Sequence, residues 1–173
     1  VLEKWANVVE PPKKYKPSEW AELNFVIPSE GGNAEPGPFR FKRTPYLREV
    51  VDQLADPKYD DVVFIAGTRV GKTTAGTIAL GYWIDNEPGD VLSVMPSEDA
   101  AREEINLRIR PMLESCESLK KYLSTRPTDN TLSEIHLPGR MNLYTGWAGS
   151  PQSLASKTCR RVRLDEIDKY PPF

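Results

Sequence analysis

The chain has 173 residues, 23 of them Lys or Arg against 25 Asp or Glu, for a net charge of −2. That balance excludes a globally basic nucleic-acid binder and leaves any such contact to a local patch. Two distant cysteines, Cys116 and Cys159, with a lone histidine, His136, argue against a zinc centre or disulfide framework and fit a reducing compartment, and no leader-like or long apolar stretch marks export or a membrane span.

The length suits one α/β domain with a sizeable core. Residues 1–43 read as a lead-in segment rather than part of the core, and 44–173 as the main domain. Pro11-Pro12-Lys13-Lys14 and Gly31-Gly32-Asn33-Ala34-Glu35-Pro36-Gly37-Pro38 have turn and loop composition. Between them, Ser18-Glu19-Trp20-Ala21-Glu22-Leu23 predicts a short helix capped by Ser18, with Glu19 in its first turn. Phe39-Arg40-Phe41-Lys42-Arg43 is an extended piece. Thr44 then caps a helix opened by Pro45, which ends near Asp56-Pro57.

Val62-Val63-Phe64-Ile65-Ala66 predicts a strand. It runs into Gly67-Thr68-Arg69-Val70-Gly71-Lys72-Thr73-Thr74, after which Ala75, Ile78, Ala79, Tyr82 and Trp83 recur at helical spacing. Strand, glycine-bearing loop and helix are the context of a phosphate-binding P-loop. Backbone N–H groups from Gly67 to Thr74 would converge on an anion at the positive end of the helix. Lys72 would reach the terminal phosphates, and the Thr73 hydroxyl would ligate Mg²⁺. Ala66 stands where the usual pattern has glycine, and Gly67 beside it keeps the turn supple.

Farther on, Asp90-Val91-Leu92-Ser93-Val94-Met95 predicts a second, buried strand. Pro96-Ser97-Glu98-Asp99 caps a long helix whose Ile105, Ile109, Met112, Cys116, Leu119 and Leu123 share one face, with a kink or break at Pro111. Leu132-Ser133-Glu134-Ile135-His136-Leu137 and Met141-Asn142-Leu143-Tyr144-Thr145 flank a Pro138-Gly139 turn and predict a hairpin, with His136 as a strand histidine. Alternating strands and helices argue for an α/β P-loop NTPase fold, RecA/ASCE-like, with a mostly parallel sheet and helices on both faces.

A second chemical site follows Cys159-Arg160-Arg161-Val162-Arg163-Leu164. There Asp165 would hold Mg²⁺ through water and Glu166 would act as the base that polarises the attacking water. Alternation puts Val162 and Leu164 on one face of this strand and the arginines on the other. Asp168 is a helix-opening acid. The 146–153 loop and the basic residues Lys157, Arg160, Arg161 and Arg163 are candidates for DNA phosphates or for a neighbouring subunit's nucleotide in trans.

Trp20-Ala21-Glu22, Glu35-Pro36-Gly37-Pro38-Phe39, Thr44-Pro45-Tyr46-Leu47-Arg48-Glu49, Thr68-Arg69-Val70-Gly71-Lys72-Thr73, Gly149-Ser150-Pro151, Leu154-Ala155-Ser156 and Leu164-Asp165-Glu166-Ile167-Asp168 occur in this order. Together they resemble the large terminase subunit of tailed bacteriophages, in its lambda-like branch. The resemblance implies a motor that uses ATP and Mg²⁺ to drive double-stranded DNA into a preformed capsid. It implies the small terminase subunit and the capsid portal as partners, a homo-oligomeric ring when active, and the host cytoplasm as the setting. Arg69 matches an arginine that acts on the γ-phosphate in cis. Tyr46 matches an aromatic that contacts adenine, but Leu47 stands where glutamine is common. The family's nuclease lies beyond the acidic pair, and no nuclease carboxylate cluster is visible in this stretch, which reads as the N-terminal ATPase part. Another nucleic-acid motor such as a helicase, or a non-hydrolysing nucleotide-binding assembly module, is the alternative reading.

Overall fold

A four-stranded sheet carries the fold, in the order β4 (Glu134–Leu137), β5 (Met141–Trp147), β3 (Val91–Met95), β6 (Arg161–Leu164). The computed structural model describes residues 15–29, 35–126 and 129–172, so the expected turns at 11–14 and 31–34 lie outside them. Strand β3 pairs in parallel with both β5 and β6, while β4 and β5 are antiparallel. All five residues of β3 are buried, as a strand flanked on both edges requires. The predicted hairpin joins β4 to β5, and Gly139 sits at φ 71°, a left-handed turn position that favours glycine. His136 is exposed on β4 and its Nδ1 lies 2.5 Å from Asn142 Oδ1.

Register places Val91, Ser93, Leu143, Arg161 and Arg163 on one sheet face. That face meets helix α3 (Lys72–Asn86), since Gly76 abuts Arg163 and Trp83 stacks on Arg161. Ile78, Ala79, Leu80, Tyr82, Trp83 and Ile84 of α3 enter the core. The opposite sheet face is covered more thinly. Short helix α7 (Pro151–Leu154) packs on Gly146 there, whereas Val162 and Leu164 are 58% and 50% exposed. Helices on both faces were expected, but only one face carries long ones among the described residues.

The lead-in segment contributes directly to this core. Helix α1 (Pro17–Asn24) buries Trp20 against α3, where Gly81 leaves the space: a Cβ on Gly81 would lie 2.5 Å from Trp20 Cη2. Trp20 Nε1 also donates to Asp85 Oδ2 at 2.9 Å. Phe25, Phe39 and Phe41 continue the layer as two edge-to-face pairs with ring centroids 5.9 and 4.8 Å apart. A two-stranded ribbon, β1 (Val26–Ile27) with β2 (Gly37–Pro38), sets their spacing. Gly81→Ala should therefore cost about 1–3 kcal/mol through overpacking. Denaturant unfolding checks this, and an unshifted midpoint would show that Trp20 yields without cost.

Two helix starts differ from expectation by a few residues. Ser18 is not the cap of α1; Lys16 is, because Pro17 takes the first helical position and holds Lys16 extended at ψ 152°. Ser18 instead donates its N–H and hydroxyl to the Asp52 carboxylate, at 2.8 and 2.9 Å. Helix α2 (Leu47–Gln53) begins after a turn in which Leu47 N bonds Thr44 O at 3.0 Å, so Thr44 and Pro45 precede the helix proper.

Ser97 caps the long helix as predicted, its hydroxyl accepting from Ala100 N at 3.2 Å. The expected break at Pro111 is absent: the backbone stays helical to Ser115, and the departure lies in its hydrogen bonding. Helix α4 (Glu98–Glu104) passes into a π-helical segment (Ile105–Ile109) and then into α5 (Arg110–Ser115). Proline lacks an N–H and its ring would crowd the preceding turn, and the wider π turn relieves that conflict. After Cys116, α6 (Glu117–Lys120) completes the layer. Ile105, Ile109, Met112, Cys116 and Leu119 are all buried, so the predicted apolar face is continuous through the π segment.

Candidate nucleotide-binding site

The glycine-bearing loop runs from Gly67 into the first turn of α3. Gly71, at φ 87°, is the residue before the helix, and Ala75 N bonds its carbonyl at 2.9 Å. Glycine is required there twice over: for the left-handed backbone, and because a Cβ would meet Leu47 Cδ1 at 2.7 Å. Arg69 also sits at positive φ, 59°, a conformation costing a non-glycine residue about 1 kcal/mol or more. Lys72 Nζ reaches back across the loop and donates to Ala66 O at 2.7 Å and Gly67 O at 2.8 Å. Tyr46 lies alongside, its hydroxyl donating to Val70 O at 3.0 Å, and neighbouring Leu47 is buried beneath Gly71. Thr68, Val70 and Thr74 complete the loop around Lys72 and Thr73.

The strand expected at 62–66 is corrected by the structure. That stretch joins no ladder, and β6 is the sheet's edge. Phe64 packs against the core, while Val63 and Ile65 are 77% and 91% exposed. A parallel strand is secured when both faces are covered. Here Val63 and Ile65, like Val162 and Leu164 of β6, have no apolar layer over them among the described residues, so pairing would bury little on that face.

Asp165 is linked, through Arg163, to the helix that follows the loop. Gly76 and Thr73 are three residues apart on α3 and share a helix face. A Cβ on Gly76 would lie 2.6 Å from Arg163 Nε, and Arg163 Nη2 bonds Asp165 Oδ2 at 2.8 Å. The helix that starts at Lys72 is thus in direct contact with the guanidinium that holds Asp165. Asp165 is buried, and its N–H bonds Val94 O at 3.1 Å. Tyr170 closes this end of the sheet, donating to Val94 O at 2.8 Å, and burial together with the Asp165 carboxylate pushes its phenol up to about 12. Glu166 stands apart at φ 52°, its carboxylate exposed and paired with Lys169 Nζ at 2.8 Å.

Arg163, expected among the DNA-facing basic residues, is instead buried beside Asp165. It bonds Glu104 Oε1 as well as Asp165, and Arg108 Nη1 bonds Glu104 Oε2 at 2.8 Å. Burial alone would lower the Arg163 pKa, but the Glu104 and Asp165 carboxylates hold it above its ordinary value. The signal lay in the sequence: Glu104 interrupts the buried stripe of Ala101 and Ile105, and an arginine facing into a core needs such a partner.

The basic candidates do not form one patch. Arg161 is corrected outright: its guanidinium bonds Glu87 Oε2 at 2.7 Å and Glu87 O at 2.9 Å and lies over the Trp83 ring at 4.9 Å. Its alternation faces the core, and its side chain is only 15% exposed. Arg160 is exposed but donates to Pro88 O at 3.2 Å, at the start of β6. Four residues of strand, roughly 13 Å, separate that end of β6 from Asp165. Lys157 sits over the Tyr144 ring at 4.2 Å.

The donor set fits a nucleotide-borne Mg²⁺. That ion takes hard oxygen ligands and keeps water and phosphate in most positions, and a hydroxyl such as that of Thr73 and a carboxylate such as that of Asp165 are donors of that kind. Among the described residues no group of three or more His, Cys, Asp or Glu converges as a cage would require.

A mixed α/β domain with a mostly parallel sheet, a glycine-lysine-threonine loop opening a helix and an acidic pair ending a strand is the class of a nucleotide-binding ATPase domain. The model of the family described as phage terminase large subunit gpA, ATPase domain, matches residues 33–172, and the chain belongs to that family. No curated relative matches it.

Proposed function

We propose that this chain is the ATP-hydrolysing motor domain of a viral terminase large subunit, coupling hydrolysis to movement of double-stranded DNA into a procapsid. Family membership supports the class, and the Gly76–Arg163–Asp165 contact supports the site, since it joins the loop helix to Asp165. In this reading backbone N–H groups from Gly67 to Thr74 bind the phosphates, and Lys72 exchanges its loop carbonyls for phosphate oxygens. Thr73 and Asp165 hold Mg²⁺, which offsets phosphate charge when bound. Arg69 acts on the γ-phosphate in cis, and Tyr46 borders the base. Glu166 leaves Lys169 to orient the attacking water. The small subunit, the portal, a homo-oligomeric ring and the host cytoplasm belong to the same reading; no described helix is long and apolar enough to cross a membrane.

One observation favours a non-hydrolysing assembly module instead: the Glu166 carboxylate is already occupied by Lys169 at the surface. Glu166→Gln separates the two. A motor loses hydrolysis by about 10²-fold or more while nucleotide affinity is kept. A parent chain that binds ATP yet never hydrolyses it, with DNA and procapsids present, would support the module.

A further inference from the structure

Glu104 is wholly enclosed, with 0% exposure, yet it is a carboxylate. Each of its oxygens takes a guanidinium: Oε1 from Arg163 and Oε2 from Arg108. Arg163 in turn gives its other arm to Asp165 at 2.8 Å, and Gly76 supplies the room it needs. Two guanidinium groups and two carboxylates therefore form one balanced chain, running from the half-exposed Arg108 to the end of β6. Glu104 lies where the helix changes from α to π hydrogen bonding, a change that recurs at functional positions.

An arginine bonded to a cation-binding carboxylate raises a physical difficulty. It fixes the carboxylate, but its positive charge opposes the cation that the carboxylate is meant to hold. We infer that Glu104 is a positioning residue that cancels the charge of Arg163, so that Arg163 orients Asp165 without weakening its hold on a nucleotide-borne divalent cation. This rests on the reading of Asp165 as the acid on the metal side. Glu104 touches neither nucleotide nor metal; it acts through Arg163. A merely structural ion pair would need any partner for Arg163, whereas the counterweight role depends on the net charge of the chain.

The test uses Mn²⁺ as the probe, titrated by electron paramagnetic resonance against the full chain with ADP bound. Glu104→Gln keeps the shape and a hydrogen-bond acceptor but removes the charge. It should weaken Mn²⁺ by about tenfold or more, while ADP affinity in chelator stays at the parent value. Adding Arg163→Gln to Glu104→Gln removes the uncompensated positive charge and should bring Mn²⁺ affinity back to within about threefold of the parent. Arg108→Gln, on the exposed flank, should tighten Mn²⁺ severalfold, and it serves if Glu104→Gln does not fold. Unchanged Mn²⁺ affinity in Glu104→Gln, a double variant no better than the single, or weaker Mn²⁺ in Arg108→Gln would overturn the inference. Asp165→Asn is the control for the underlying site: if it leaves Mn²⁺ binding intact, the metal-side reading itself fails, whatever the Glu104 variants do.

Discussion

Lys72→Ala is expected to weaken nucleotide binding by about 100-fold and to remove hydrolysis, because two charge-assisted bonds to phosphate oxygens go with the ammonium. The fold should be untouched. Lys72 lies at a half-buried loop mouth and bonds only the carbonyls of Ala66 and Gly67, both on the loop itself. Titration with a fluorescent nucleotide and a thermal melt on the same sample check both halves. Parent-like affinity would mean that the loop from Gly67 to Thr74 does not bind phosphate at all.

Arg163→Ala is expected to be the most destabilising single change in the sheet. It leaves Glu104, fully enclosed, with only Arg108, and strips Asp165 of its cation partner. Breaking a buried pair from one side costs about 3–5 kcal/mol, because the remaining charge is stranded. For a domain of this size that corresponds to a fall in melting temperature of roughly 10 °C. Differential scanning calorimetry reads it directly, and a shift within experimental error would show that solvent reaches Glu104 freely.

Much of the architecture was legible because it follows local rules. The Pro138-Gly139 turn, the Ser97 cap and the stripe from Ile105 to Leu119 depend on residue type and spacing alone, and each is found where the sequence puts it. Pro111 was a local signal too, but the helix answers it with a π segment rather than a break, since a helix can accommodate proline in several ways. The lead-in segment misled because its prolines and glycines mask the aromatics between them. Trp20, Phe25, Phe39 and Phe41 are buried only because α3 presents Gly81 and a matching surface, which is tertiary information.

The site shows the same division. The loop and the acidic pair were visible as motifs, and family membership over residues 33–172 accords with them. Which arginines face outward was not, because alternation fixes relative faces without naming the inner one. Here the charged face of β6 turns inward, where Glu87 and Glu104 receive Arg161 and Arg163, and the aliphatic face of Val162 and Leu164 turns out. A hydrophobic-inside expectation fails at such a strand for a specific reason: buried acids on other elements had already been committed as partners.

Gly76 has a mechanical consequence. With no side chain between α3 and the Arg163 guanidinium, the loop helix and strand β6 meet without padding. A close-packed junction of this kind passes on a push rather than absorbing it. A shift at the start of α3 would therefore press on Arg163, which is bonded to Glu104 at the edge of the π segment. Even an alanine at position 76 would act as a shim, prising that junction open.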